Sequence, residues 1–201
     1  LELALTSDRM DAHTCAALVG LQVGLVFSGR VDEYLELHHR FAQLDADTML
    51  QFRLSEVFGL AMLKRFDEAQ ALSDEVLPAA RRLDVPSAKC LAEYGCGLAY
   101  ASSDPDRALH ALRRAFESAS SGRCTMYEGV VLRELARLEA SHGSPEAALA
   151  FFERVLDDFD VIGQRTNLTL SVGYLAMLFA RLGHRARAAL LLAAAMTDDR
   201  T

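Results

Sequence analysis

The chain has 201 residues, of which 51% are hydrophobic, 24% are charged and four are prolines, a composition that excludes an intrinsically disordered protein. The chain has 28 acidic and 21 basic residues, which give a formal net charge of −7. An acidic chain of this kind lacks the basic surface that nucleic-acid binding requires. The longest apolar run, residues 168–180, is shorter than the roughly 20 residues of a membrane-spanning helix, so we expect no membrane anchor.

Apolar residues recur at helical spacing along the chain, and short polar turns divide this pattern into ten predicted helices. The helices form five antiparallel pairs, which we expect to make up a single domain over residues 1–201: 12–44, 48–83, 86–120, 124–162 and 165–197. One small or aromatic residue anchors the second helix of each pair: Tyr34, Ala69, Ala108, Ala148 and Ala188. These anchors are 35, 39, 40 and 40 residues apart, and a period of this size predicts an all-α repeat protein, an α-solenoid.

Prolines and glycines mark the predicted helix boundaries. Asp104-Pro105 and Ser144-Pro145 each combine an N-capping side chain with a proline at the first helical position, and Pro86 marks another helix start. Three glycines follow predicted helices: Gly29, Gly143 and Gly183. We expect each of them to adopt the left-handed backbone conformation that ends a helix.

The four cysteines indicate a reducing compartment, because they form neither a CxxC pair nor a dense disulfide framework: Cys15, Cys90, Cys96 and Cys124. The sequence opens with neither an initiator methionine nor a signal peptide, and its first residues are typical of the end of a helix. We therefore expect a fragment of a larger cytoplasmic protein.

Two of the pairs carry the small and aromatic residues of a known repeat. In the fourth pair these residues are Leu135, Ala136, Gly143, Ala148 and Phe152, and in the fifth they are Leu175, Ala176, Phe179, Gly183, Ala188 and Leu192. Their spacing resembles the tetratricopeptide repeat (TPR), although no tryptophan is present. The resemblance implies a right-handed α-solenoid whose concave groove is lined by the first helix of each pair.

The repeat period here is near 40 residues, whereas that of the TPR is usually 34, and this difference restricts the resemblance to a smaller group of repeat proteins. Residues 85–197 resemble the C-terminal repeats of large actinobacterial signal-transduction ATPases of the MalT and AfsR type. In such proteins a helical sensor arm accompanies an NTPase core, and many also carry a LuxR-type DNA-binding domain, a cyclase domain or a kinase domain. The resemblance implies a recognition arm of a multidomain bacterial regulator.

Several residues are of types found in catalytic, metal-binding or nucleotide-binding sites, but the spacing of each favours a purely structural role. We therefore expect no catalytic residue, metal site or cofactor. "GCGLAY" (95–100) has neither the third glycine nor the preceding strand of a nucleotide-binding loop. The histidines are scattered, and the six-residue spacing of Cys90 and Cys96 places them on different helix faces, as buried free thiols. Asp157, Asp158 and Asp160 are expected on a solvated face.

The TPR resemblance places Tyr94, Arg133, Arg137 and Met177 in the concave groove, and earlier in the chain it adds Phe52, Ser55 and Met62. Arg133 and Arg137 lie one turn apart on one helix face, so they could clamp a carboxylate or phosphate. The alternative is that both arginines pair with Glu134, Glu139 or acids of the next repeat. Arg165 and Asn167 add a polar ridge, to which the same alternatives apply.

The favoured function is non-catalytic binding of a partner protein, a peptide or another domain of the same chain in the groove. The first alternative is a small-molecule sensor, which requires converging polar groups in one concavity. A second alternative is an oligomerisation element, for which self-association is the expected property.

Overall fold

The computed structural model describes residues 46–122 and 124–198, together with residues 21, 24, 25, 30, 33, 36 and 37. Its continuous part contains eight α-helices: α1 (Ala46–Met62), α2 (Phe66–Arg82), α3 (Pro86–Tyr100), α4 (Pro105–Ser121), α5 (Thr125–His142), α6 (Pro145–Val161), α7 (Arg165–Arg181) and α8 (Arg185–Asp198). No strand occurs in this part of the chain, so the predicted all-α class is confirmed. The predicted first pair, with Tyr34 and Gly29, lies outside the described residues apart from isolated positions. None of the described helices is both long and apolar enough to cross a membrane.

The local signals for helix starts are confirmed. Pro86, Pro105 and Pro145 are the first residues of α3, α4 and α6. The Asp104 carboxylate accepts a hydrogen bond from the Arg107 backbone N–H at 3.0 Å. Likewise, the Ser144 hydroxyl accepts one from the Ala147 backbone N–H at 3.2 Å. Both side chains therefore satisfy a backbone donor that has no partner within the first helical turn.

The glycine prediction is right at one helix end and wrong at another. Gly183, after α7, is left-handed with φ of 81°, as predicted. Gly143, after α5, has φ of −108° and ψ of −146°, so the left-handed prediction is wrong there. A Cβ atom at Gly143 would lie 1.9 Å from Oε2 of Glu139, a carboxylate that accepts a hydrogen bond from the Ser144 backbone N–H. The position requires glycine because this carboxylate occupies the space of a side chain.

The chain forms two compact units, residues 1–99 and residues 100–201. In the first unit, α1 packs on α2, and the anchor Ala69 is fully buried. A bidentate ion pair joins α2 to α3, where Arg81 donates to the Glu93 carboxylate at 2.7 and 3.2 Å. Gly95 allows α3 to approach α1 closely, since a Cβ there would lie 3.0 Å from the Val57 side chain.

In the second unit, α5, α6 and α7 surround the core. One buried cluster comprises Ala136, Ala140, Ala148, Phe152 and Leu178, and a second comprises Leu132, Val155 and Phe159. The anchors Ala108 and Ala148 are fully buried, and Ala188 is 5% exposed. Small side chains at these positions let neighbouring helices approach closely, and the phenylalanines fill the remaining space.

Candidate binding surface on two parallel helices

Two of the predicted groove residues share one buried carboxylate. On α5, Nε of Arg137 donates to Oε2 of Glu134 at 2.6 Å, and Nη2 of Arg133 donates to Oε1 at 3.0 Å. The Glu134 side chain is only 8% exposed. The alternative in which the arginines pair with acids of their own chain is therefore realised for both of them, and Glu134 is the partner.

The same cluster extends to α7. A terminal nitrogen of Arg133 donates to Oδ1 of Asn167, and the Asn167 amide in turn donates to Oε1 of Gln164 at 2.6 Å. Arg133 and Asn167 are 34 residues apart in the sequence, about one repeat. Asn167 therefore connects the polar ridge at the start of α7 with the arginines of α5.

Three contacts show that α5 and α7 run parallel, side by side. Arg133 contacts Asn167, Arg137 lies 5.9 Å from the Tyr174 ring centroid, and Arg181 donates to the Ser141 carbonyl at 3.2 Å. The contacting positions advance in the same direction along both helices, which is the relation expected between the first helices of successive pairs. These two helices form a continuous surface, which we call the α5–α7 face.

The α5–α7 face keeps unused binding capacity at Arg137. Two guanidinium groups share one carboxylate, so the three side chains carry a formal charge of +1. Among the described residues, the terminal nitrogens of Arg137 have no hydrogen-bond partner, and its side chain is 25% exposed. Glu134 therefore fixes Nε of Arg137, while Nη1 and Nη2 can still donate to an incoming anion.

Apolar side chains border these donors. Leu170 and Met177 on α7 are 44% and 58% exposed, and both lie within one turn of the half-buried Tyr174. Residues three, four and seven apart share one face of a helix. The α5–α7 face thus places a cation, an aromatic ring and two exposed apolar side chains next to each other.

The structure places the other predicted residues differently. Phe52 and Ser55 are buried, which is wrong for groove residues, whereas Met62 is 41% exposed. Tyr94, in the first unit, is 5% exposed and packs against Phe58 with ring centroids 5.7 Å apart, so little of its ring is accessible to a partner. Arg165 is the first residue of α7 and lies in an open depression of about 520 Å³ lined by residues 163–167. Gln164, Tyr174 and Arg181 were not predicted as members of the site, and Glu134 was predicted only as an alternative partner of the two arginines.

The structure also shows the surroundings of the cysteines and aspartates named in the sequence analysis. Cys90 and Cys96 are buried and form no disulfide, as predicted. Asp157, Asp158 and Asp160 are exposed on α6, which confirms the solvated face. Among the described residues, no three His, Cys, Asp or Glu side chains lie close enough together to hold a metal ion.

Comparisons with known proteins provide further evidence on the fold. No protein-family model matches the sequence, and no curated protein matches it either. The chain is similar to the crystal structure of nearly identical TPR-like repeats from Podosopora anserina, a protein described as a kinesin light chain, with a TM-score of 0.65 and 18% identity over 92% of this chain and 96% of that one. A single-substitution variant of that protein gives a TM-score of 0.67 and 17% identity over 94% and 96%. Together with the helices described above, this similarity shows that the chain has a TPR-like repeat fold and confirms the predicted fold class.

Proposed function

We propose that the chain is a non-catalytic interaction domain that binds an acidic peptide segment of a partner protein on the α5–α7 face. The observation that supports this proposal best is the geometry at Arg137. Glu134 holds the guanidinium in place, and the terminal nitrogens have no hydrogen-bond partner among the described residues. A guanidinium that is already oriented loses little side-chain entropy when a carboxylate binds to it.

The surroundings of Arg137 indicate what kind of peptide would fit. A carboxylate at Arg137 would leave the neighbouring peptide side chains above Tyr174, Leu170 and Met177. An acidic residue followed by apolar ones satisfies both parts of this surface. Exposed apolar side chains rimmed by polar groups are typical of protein interaction sites.

In a larger protein, the domain would act as the recognition arm of a bacterial transcriptional or signalling regulator. The resemblance of residues 85–197 to the repeats of regulatory ATPases supports this context. The bound segment would then belong either to a separate partner or to another domain of the same chain. Binding would change the activity of the regulator only if the segment had different affinities for its two states.

A peptide-display selection on the immobilised 201-residue chain tests the proposal. We expect acidic-apolar sequences to be enriched, and Arg137→Ala to weaken their binding at least tenfold, because a charged hydrogen bond contributes about 1.5–3 kcal/mol. Arg114→Ala, which removes an exposed arginine from α4, is the matched control and should leave the affinity unchanged. Equal binding by the Arg137→Ala variant, with its helical circular dichroism intact, would disprove the site.

A small anionic effector is the second candidate, and the depression at residues 163–167 favours it. This depression is open and is lined by five consecutive residues, among which Arg165 and Asn167 supply polar groups. Thermal shift measurements with a metabolite panel separate the two functions. A metabolite that stabilises the wild-type chain but not Asn167→Ala supports the sensor, whereas peptide binding alone supports the interaction domain.

A further inference from the structure

Gly173 lies in the interior of α7, where glycine destabilises a helix relative to alanine. Two other glycines in helix interiors have a reason in the packing. A Cβ atom at Gly95 would lie 3.0 Å from the Val57 side chain. One at Gly129 would lie 3.0 Å from the Phe159 ring. At Gly173 an added Cβ would meet no neighbouring group within 4 Å, and the backbone is helical, so the described fold does not require glycine there.

The absence of a side chain at this position leaves a notch in the surface of α7. Leu170 and Met177 each lie three or four residues from Gly173, so the three residues share one side of the helix. Both of these large side chains are exposed and border the notch. Tyr174 lies between the same two residues and marks the side towards α5, because its ring is 5.9 Å from the Arg137 guanidinium. We call this feature the Gly173 notch.

We propose that the Gly173 notch binds a large apolar side chain of the same peptide whose acidic residue binds Arg137, an inference that rests on the proposed function. Glycine is the residue that lets a ligand approach the backbone closely. Residues 168–180 include no charged residue, so the notch offers no counterion for a charged side chain. An apolar side chain placed there would be removed from water by contact with Leu170 and Met177, which favours binding.

The place of the notch also limits the spacing between the two peptide residues. Packed helices have axes about 8–10 Å apart, and the Arg137 side chain reaches from α5 towards the Tyr174 ring on α7. A carboxylate bound to Arg137 therefore lies within about 10 Å of the notch. Since an extended peptide advances about 3.3 Å per residue, the acidic residue and the large apolar residue are two or three positions apart.

Peptide-display selections run in parallel on three chains test the inference: the wild-type chain, Gly173→Leu and Ala150→Leu. Gly173→Leu fills the notch with a good helix former, and Ala150→Leu is the matched control on the exposed face of α6. We expect the wild-type and control chains to enrich acidic peptides with a large apolar residue at the stated spacing. Gly173→Leu should enrich acidic peptides without it, and should bind a peptide selected on the wild-type chain about tenfold more weakly or worse.

Gly173→Ala separates binding from folding. One methyl group in the notch should weaken the same peptide by about threefold, while the urea midpoint of the chain does not fall. If the wild-type chain and Gly173→Leu enrich the same peptides while Arg137→Ala loses them, the notch has no part in binding and only the proposed function stands. If no chain enriches acidic peptides, the proposed function and this inference are both wrong.

Discussion

Glu134 shows what a single residue contributes to the α5–α7 face. Its carboxylate is nearly buried and compensates part of the charge of Arg133 and Arg137, which lie one turn apart on α5. Without it, the two guanidinium groups would repel each other in a poorly solvated position. The residue that orients the binding group is therefore also one that stabilises the fold, and stability and binding have to be measured together.

We predict that Glu134→Ala lowers the free energy of unfolding by about 2–4 kcal/mol, because it leaves two partly buried charges without their partner. Urea denaturation followed by circular dichroism measures the change. Glu153→Ala on the exposed face of α6 is the control and should change stability by less than about 0.5 kcal/mol. Equal stability of the two variants would mean that the cluster contributes nothing to folding.

Gly143 gives a second prediction at this scale. An added Cβ has to displace the Glu139 carboxylate, which is held by Arg113 at 2.5 Å and by the Ser144 backbone N–H at 3.0 Å. Gly143→Ala should therefore destabilise the chain by about 1–3 kcal/mol. Gly173 lies in α7, and a Cβ atom added there would meet no neighbouring group within 4 Å. Gly173→Ala should therefore be neutral or stabilising by up to about 1 kcal/mol. Chemical denaturation of both variants compares them, and a destabilised Gly173→Ala would contradict this account.

At the scale of helices, the sequence predicted best what depends on neighbouring residues. The starts of α3, α4 and α6 follow from proline and capping side chains, and these signals act within one turn. The end of α5 before Gly143 was predicted correctly, but the left-handed conformation of Gly143 was wrong, because glycine is needed there by a contact with a side chain of the preceding turn. The same sequence pattern can therefore have two physical causes.

The cap of α6 allows a prediction that combines stability with a pKa. The Ser144 hydroxyl donates to the Glu146 carboxylate at 2.7 Å and lowers the pKa of that carboxyl below its ordinary value. Ser144→Ala should cost about 1 kcal/mol of stability and let the pKa of Glu146 rise, whereas Ser144→Asp should retain the cap. NMR titration of the Glu146 side chain together with thermal unfolding tests both effects. An unchanged pKa in Ser144→Ala would exclude the hydroxyl as its cause.

At the scale of the whole molecule, the repeat period predicted an α-solenoid and the resemblance in residue spacing predicted the TPR-like fold, but the binding surface was predictable only in part. Helical spacing placed Arg133 and Arg137 on one face, and Glu134 was among the partners that the sequence allowed. The contacts with Tyr174 and Arg181 depend on which turns of α5 and α7 lie side by side. That register is set by core packing of residues far apart in the sequence, so local patterns do not contain it.

Acid should weaken the folded chain through its surface ion pairs. Arg53 holds the Glu75 carboxylate at 2.5 and 2.6 Å and lowers its pKa below the ordinary 4.5, and Arg65 lowers the pKa of Glu68 in the same way. A carboxyl with a lowered pKa in the folded state adds stability above its unfolded pKa, and this contribution is lost as the pH falls through the folded value. The effect of these exposed pairs is small and decreases with added salt.

We therefore predict that the urea midpoint is constant from neutral pH to about pH 5 and falls as the pH drops below about 4.5. Arg53→Gln should lower the midpoint at neutral pH, because it removes the partner of Glu75, but the difference from the wild-type chain should shrink in acid, where Glu75 is protonated in both. Urea titrations at low salt over this pH range measure the difference directly. A gap between the two chains that stays constant or widens in acid would show that Arg53 stabilises the fold through packing and not through the Glu75 carboxylate.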